Sequence, residues 1–341
     1  MVKRISALLL CFVCAFAVAG CKKENKDITV EKAKKKIVTE EKVLNPLTGL
    51  SDIAADKVST RPVAVMVNNI SIAQPVQAGI NDADIVYETE VEGGITRLMA
   101  VFQDVSKVEK IGTVRSARYA YVDLAMGHNA IYVHHGQDPI YCAPHLKDTD
   151  DYTVGTNNSG VRVSNGLATE HTLYAYGAKL WDDLVATGHK TENTGADTWQ
   201  KFADENKALK FEGVGNSVSI AFSTSYKTVL NYDAATGKYI RSFGTTVRKD
   251  YYTKQDQNFK NVFVLMTTIN DYQDHKHRNI NLTSGTGYYF VNGTYMEIKW
   301  SKGSASSPLK FTDMNGNPLE VNAGNSYVAI ADSRTSAPVI G

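Results

Sequence analysis

ADIVYETEVEGGITRLMAVFQ, residues 83–103, reads as two β-type segments folded back on one another at Gly93-Gly94, a hairpin. If residues 86–92 are strand, Glu88, Glu90 and Glu92 share one face with successive Cα atoms about 6.5–7 Å apart. Three like charges in a row need solvent or partners. Arg97, Arg115 and Arg118 are the obvious partners, because guanidinium forks bind carboxylates in pairs. Upstream, PVAVMV (62–67) is a short apolar run closed by Asn68 and Asn69, the pattern of a buried strand. Downstream, Ser116 is placed to cap a helix with Ala117, Tyr121, Leu124 and Ala125 on one face. A strand follows over residues 130–135. Leu173, Tyr176, Leu180, Trp181 and Leu184 recur at helical spacing, with Gly188 as the stop.

Beyond residue 213 the texture changes to short strands between turns. SVSIAF, KTVLNYD, KYIRSF, NVFVLMTTI, GYYFV, YMEIKW and SYVAIA each have strand length and composition. Residues 234–237 and Asn292-Gly293 read as tight turns, and Asn315-Gly316 marks another loop. The expected fold class is therefore α+β: a mixed α/β domain over residues 45–207 and a smaller, mostly-β domain over residues 213–332. No doubly wound dinucleotide pattern or phosphate loop is visible, so no cofactor is implied.

The N-terminus reads as an address. Lys3 and Arg4 precede an apolar stretch over residues 5–19, and Val18, Ala19 and Gly20 lead into Cys21. This is the layout of a lipoprotein signal peptide, residues 1–20, with Cys21 as the lipidated first residue of the mature chain. The apolar run is shorter than the roughly 20 residues needed to span a bilayer. Loss of Lys3 and Arg4 moves the formal charge from +1 to −1, a balance with no electrostatic footprint for nucleic acid. Residues 22–44, with eight lysines against five acids and no aromatic residue, read as a charged tether reaching about 25–30 Å. Cys142 is left without an intrachain partner, so the exported fold is expected to stand without disulfides.

With these pieces in place, the chain resembles the YerB-type family of bacterial lipoproteins. The carriers are NPLTGL (45–50), RPVAVMVNN (61–69), ADIVYE (83–88), VEGGITRLMAVF (91–102) and IGTVRSAR (111–118). Later segments, NVFVLMT, GTGYYFVNGTYMEIKW and FTDMNGNPLEVNAGNSYVAI, look like that family's C-terminal domain. Thr113 stands where the family pattern has proline. The resemblance implies a protein held by lipid at the outer face of the cytoplasmic membrane, with a role tied to cell-wall synthesis.

For chemistry, the residues leave three readings of the cluster Glu88, Glu90, Glu92, Arg97, Arg115, Ser116 and Arg118. It is a sheet face knitted by ion pairs, a binding surface for a cell-wall component or an envelope protein, or, with least weight, a paired-carboxylate hydrolase. His134 and His135 are adjacent on a strand and point to opposite faces, so they do not join at one metal, and no metal site is expected. Cys142 beside His145 lacks any recognisable peptidase pattern and reads as a buried hydrophobe. Asp271, Asp274, His275 and His277 read as a solvated loop without a role. The preferred expectation is a non-catalytic binding or regulatory protein of the cell envelope.

Overall fold

A computed structural model describes residues 42–193, 199–335 and 337–341. The expected signal peptide, Cys21 and nearly all of the tether lie outside the described residues. The described chain is richer in sheet than the expected mixture, with 39% in strands against 13% in helices.

In the first half, β1 is Val63–Asn68, β2 Ile85–Glu90 and β3 Thr96–Phe102. The predicted hairpin forms: β2 and β3 pair antiparallel with Glu88 opposite Leu98 and Glu90 opposite Thr96. The turn between them needs its double glycine, since Gly93 and Gly94 sit at φ of 71° and 69°. Helix α1 is Tyr119–Gly127, followed by β4, Ile131–His134. A one-turn α2, Ala143–Leu146, leads to β5, Asp151–Thr153. The last helix is α3, Gly177–Ala186.

The second half supplies β6 (Gly213–Val214), β7 (Ser217–Ala221), β8 (Lys227–Asp233), β9 (Lys238–Phe243) and β10 (Asn261–Thr267). A small two-stranded hairpin, β11 (Ile269–Asp271) with β12 (Arg278–Ile280), projects before the chain continues. Then come β13 (Ser284–Val291), β14 (Thr294–Ser301), β15 (Lys310–Thr312) and β16 (Ser326–Asp332). The Asn292-Gly293 turn joins β13 to β14 as expected, with both residues at positive φ.

The strands on either side of residues 207–213 meet in one sheet. Its eleven strands run β6-β14-β13-β10-β16-β2-β3-β1-β4-β5, with β15 beside β14. The junction is β16, which lies parallel to both β10 and β2. Each face of this sheet is covered. Ala64, Met66, Tyr87 and Met99 pack with Tyr121, Leu124 and Ala125 of α1. Val63, Val65, Val67 and Val86 pack with Val218, Ile220, Leu230 and Tyr239 of a second, six-stranded sheet built around β7, β8 and β9. Double coverage explains the continuous apolar texture of PVAVMV and NVFVLMT, every residue of β1 and β10 being buried.

Two helix starts differ from expectation. Ser116 does not cap α1. Residues 114–117 are occupied by the neighbouring backbone instead: Arg115 N–H donates to the Met66 carbonyl and Ala117 N–H to the Gly136 carbonyl, so the helix opens only at Tyr119 with Arg118 at the cap position. Leu173 belongs to a short strand, Leu173–Ala175, and α3 begins four residues later. Gly188 ends it as expected, at φ 83°.

Candidate functional site

The three glutamates part company because their strand ends. Glu88 points between the sheets and is fully buried. Its Oε1 accepts from Asn69 Nδ2 at 3.0 Å and Thr96 Oγ1 at 2.7 Å. Its Oε2 accepts from Arg241 Nη2 at 3.1 Å and from the Tyr327 hydroxyl, while Thr228 Oγ1 lies within 3.2 Å of both oxygens. Arg241, also fully buried, is held in turn by Asn69 and Gln257. None of the expected arginines reaches Glu88. Arg97 lies opposite Thr89 in the ladder, so the pleat directs it to the other face from Glu88.

Glu90 pairs with Arg278 at 3.0 Å, and Arg278 also binds Asp271. Burial pushes the Glu90 carboxyl up and Arg278 pulls it partly back, leaving it raised. Glu92 lies past the strand end. Burial opposes its charge, but hydrogen bonds from Arg118 and the charges of Arg97 and Arg118 outweigh this and hold its carboxyl down to about 2. Arg118 Nε donates to Glu92 Oε2 at 2.7 Å, and Arg97 stands 3.4 Å from Oε1. Burial and the neighbouring Arg118 charge lower Arg97 to about 10, against the pull of Glu92. Arg115 turns away to Glu170 at 3.1 Å on an exposed edge. Ser116 contributes its carbonyl to Arg97.

Glu90, Glu92 and Arg118 do share a slot. Its other walls are Tyr119, Ala120 and Tyr121 at the start of α1, Asp138 and Tyr141 before α2, and Tyr272, His277 and Arg278 of the β11–β12 hairpin. The slot is narrow: its cavity volume is about 20 Å³, room for about one water molecule. Its aromatic wall is ordered. Tyr141 stacks on Tyr272 with ring centroids 3.9 Å apart and planes at 12°, and Tyr119 meets Tyr272 edge-on at 6.1 Å. Burial raises the hydroxyls of Tyr119 and Tyr272, so both are neutral donors. His277, expected in a solvated loop, is instead half-buried between Asp138 and Asp274.

The remaining sequence candidates stand apart. His134 bridges the Gly136 carbonyl and Asp151, whereas His135 meets the Val154 carbonyl. Cys142 is a free, buried thiol pushed up to about 12 by desolvation, which keeps it protonated.

A family model described as "Protein of unknown function (DUF3048) N-terminal domain" matches residues 47–190, and the corresponding C-terminal domain model matches residues 218–328. A Bacillus subtilis (strain 168) protein with the provisional name lipoprotein YerB is 31% identical over 312 residues, 89% of this chain and 88% of that one. The chain belongs to the YerB family. A crystal structure of the family's Bacillus subtilis member YerB superposes with a TM-score of 0.73 at 27% identity, over 87% of this chain and 100% of that one. The two YerB-family domain models fall on either side of the β2–β16 junction, and the slot draws walls from both: Glu90 to Tyr141 from the N-terminal match, Tyr272 to Arg278 from the C-terminal one. Among the described residues no helix is long and apolar enough to cross a membrane.

Sequence reasoning missed Arg241, Tyr141, Tyr272, His277 and Arg278. A signal for two of them was present: Tyr272 and His277 sit among acids in a loop too polar for a core and too aromatic for a plain turn.

Proposed function

We propose that this protein is an envelope lipoprotein, anchored at the outer face of the cytoplasmic membrane through lipid on Cys21, that binds a cell-wall component or an envelope protein in the slot without catalysis. The lipoprotein name of its Bacillus subtilis relative supports the anchor. The observation that carries the binding reading is the slot's makeup: four tyrosines beside Glu90 and Glu92, carboxylates that already have cationic partners. Such walls offer apolar ring surface and fixed hydrogen-bond groups, the usual composition of a recognition pocket. Paired-carboxylate hydrolysis is less well supported. Glu88 is enclosed with both oxygens engaged, and Glu92 is held ionised far below the range of a proton donor.

The test is calorimetric titration with soluble fragments from enzymatic digestion of the cell wall. Wild-type protein is expected to bind them. Tyr272→Ala and Arg118→Ala should each weaken binding at least about tenfold, about 1.4 kcal/mol, whereas Arg115→Ala, outside the slot, should leave it unchanged. Fragments bound equally by all four proteins would place recognition elsewhere.

A further inference from the structure

Glu90 and Arg278 wall more than the slot. The same pair also lines a second, wider groove of about 530 Å³, within the roughly 300–1,000 Å³ usual for ligand pockets. Four segments build it: the Gly93-Gly94 turn, residues 222–225 between β7 and β8, residues 269–271 at the start of the β11–β12 hairpin, and residues 332–335 at the end of β16. Ser223 ties two of them together, its hydroxyl donating to the Gly94 carbonyl at 2.7 Å.

The charges in this groove do not balance. Asp332 has a cation of its own, since Arg334 donates Nε to its Oδ1 at 3.0 Å and Nη2 to its Oδ2 at 2.9 Å. Glu90 and Asp271 share one cation: Arg278 donates Nε to Glu90 Oε1 at 3.0 Å and turns Nη1 to Asp271 Oδ1. Two carboxylates against one guanidinium leave one negative charge uncompensated. Glu90 is only 7% exposed, yet among the described residues its Oε2 has no hydrogen-bond partner, and neither has Asp271 Oδ2. Burial raises the Glu90 carboxyl, Arg278 pulls it back and the Asp332 charge pushes it up again. An incoming cation with N–H donors relieves both the surplus charge and the unused acceptors.

The groove also selects the kind of cation. Among the described residues no three histidine, cysteine or acidic side chains are placed to hold a metal ion, so the complement is organic. A primary ammonium supplies one positive charge and three N–H donors. The remaining walls suit amide groups: exposed hydroxyls at Thr224 and Ser225, and open backbone at Gly93, where nothing lies within 4 Å of a Cβ position. The one aromatic side chain of the lining, Phe222, is 1% exposed and offers no ring face to a sugar.

We propose that this groove is a second binding subsite, in which a short peptide docks with a free primary ammonium against Glu90, Arg278 and Asp271. The subsite rests on the reading of the adjoining slot as a recognition site and names the ligand class which that reading leaves open, an amine-bearing peptide rather than a saccharide.

A titration followed by the backbone amide shifts of the isotopically labelled mature chain tests this. The probe is the tripeptide Ala-Lys-Ala, blocked at both ends so that its lysine ammonium is the only charge, and the control is the same peptide with that amine acetylated. The lysine peptide is expected to shift Gly94, Thr224 and Asn270 and to bind at least about tenfold more tightly than the control, as suits a charge-assisted hydrogen bond. This comparison uses the unaltered chain and does not depend on how any variant folds. Asp271→Asn, a change on an exposed side chain that removes the surplus charge, should erase most of the difference. Glu170→Gln, paired with Arg115 away from both cavities, should leave it intact. Equal binding of the two peptides, no groove shift with either, or a difference unchanged by Asp271→Asn would overturn the subsite, even if cell-wall fragments bind in the slot. N,N′-diacetylchitobiose binding the groove more tightly than the lysine peptide would overturn the ligand class. Groove shifts with the lysine peptide in a protein that binds no fragment support the subsite and fail the slot reading instead.

Discussion

Glu88 and Arg241 are charged residues with no exposure at all, 3.1 Å apart and separated by 153 residues of chain. A buried ion pair adds little over a well-packed apolar pair, but breaking one by removing a single partner leaves an uncompensated charge and costs about 3–5 kcal/mol. Arg241→Met is therefore expected to destabilise by that amount in chemical denaturation, while Glu88→Gln combined with Arg241→Met should recover much of the loss. Equal, small effects of the single and double changes would mean that the pair is not buried as described. The period-two reading of Glu88 and Glu90 was legible in the sequence. Their partners were not, because Arg241 and Arg278 arrive from strands of other sheets, brought beside β2 by tertiary packing alone. Glu92 departed from the pattern for a local reason: the double glycine takes the chain out of the strand before its side chain can alternate.

The elements that read most clearly were those with strong periodicity and a turn at each end, such as β1, the β2–β3 hairpin and the β13–β14 hairpin. Helix starts were harder. Ser116 has the right side chain for a cap, but the adjoining backbone is already bonded to Met66 of β1 and to Gly136, and this competition is invisible in one sequence. Gly177 shows the same thing from the other side. A Cβ there would lie 2.1 Å from the Val105 carbonyl oxygen and 2.4 Å from that of Val108. Helix propensity alone favours alanine over glycine by about 1 kcal/mol, so the close approach decides the sign. Gly177→Ala should destabilise by at least about 1–3 kcal/mol, read as a lowered melting temperature. A stabilised variant would show that α3 does not pack this closely on the 105–108 turn.

For the whole molecule, the main lesson is that two stretches of different texture build one sheet. The mostly-β composition after residue 213 was plain, yet nothing in it announced that β16 would slot between β2 and β10, since parallel neighbours leave no turn signal. The slot is a consequence of that junction, which is why its two halves could not be joined from sequence. The anchor belongs to this scale as well. Cys21→Ala is expected to move the protein from the membrane fraction to the soluble one, measured by fractionation after a salt wash, and retention of a processed variant would refute lipid anchoring at that residue.

The central claim is that the slot, in an anchored protein, is where a component of the envelope binds. Ile140 is 57% exposed next to Tyr141, and Val339, 67% exposed, is not among the residues lining the slot. A photo-crosslinking residue placed at each position in turn, in intact cells, reads the claim directly. The account predicts a discrete adduct from position 140, lost when Tyr272→Ala is added, and none from position 339. The same adducts from both positions, or an adduct from 140 indifferent to Tyr272, would contradict it.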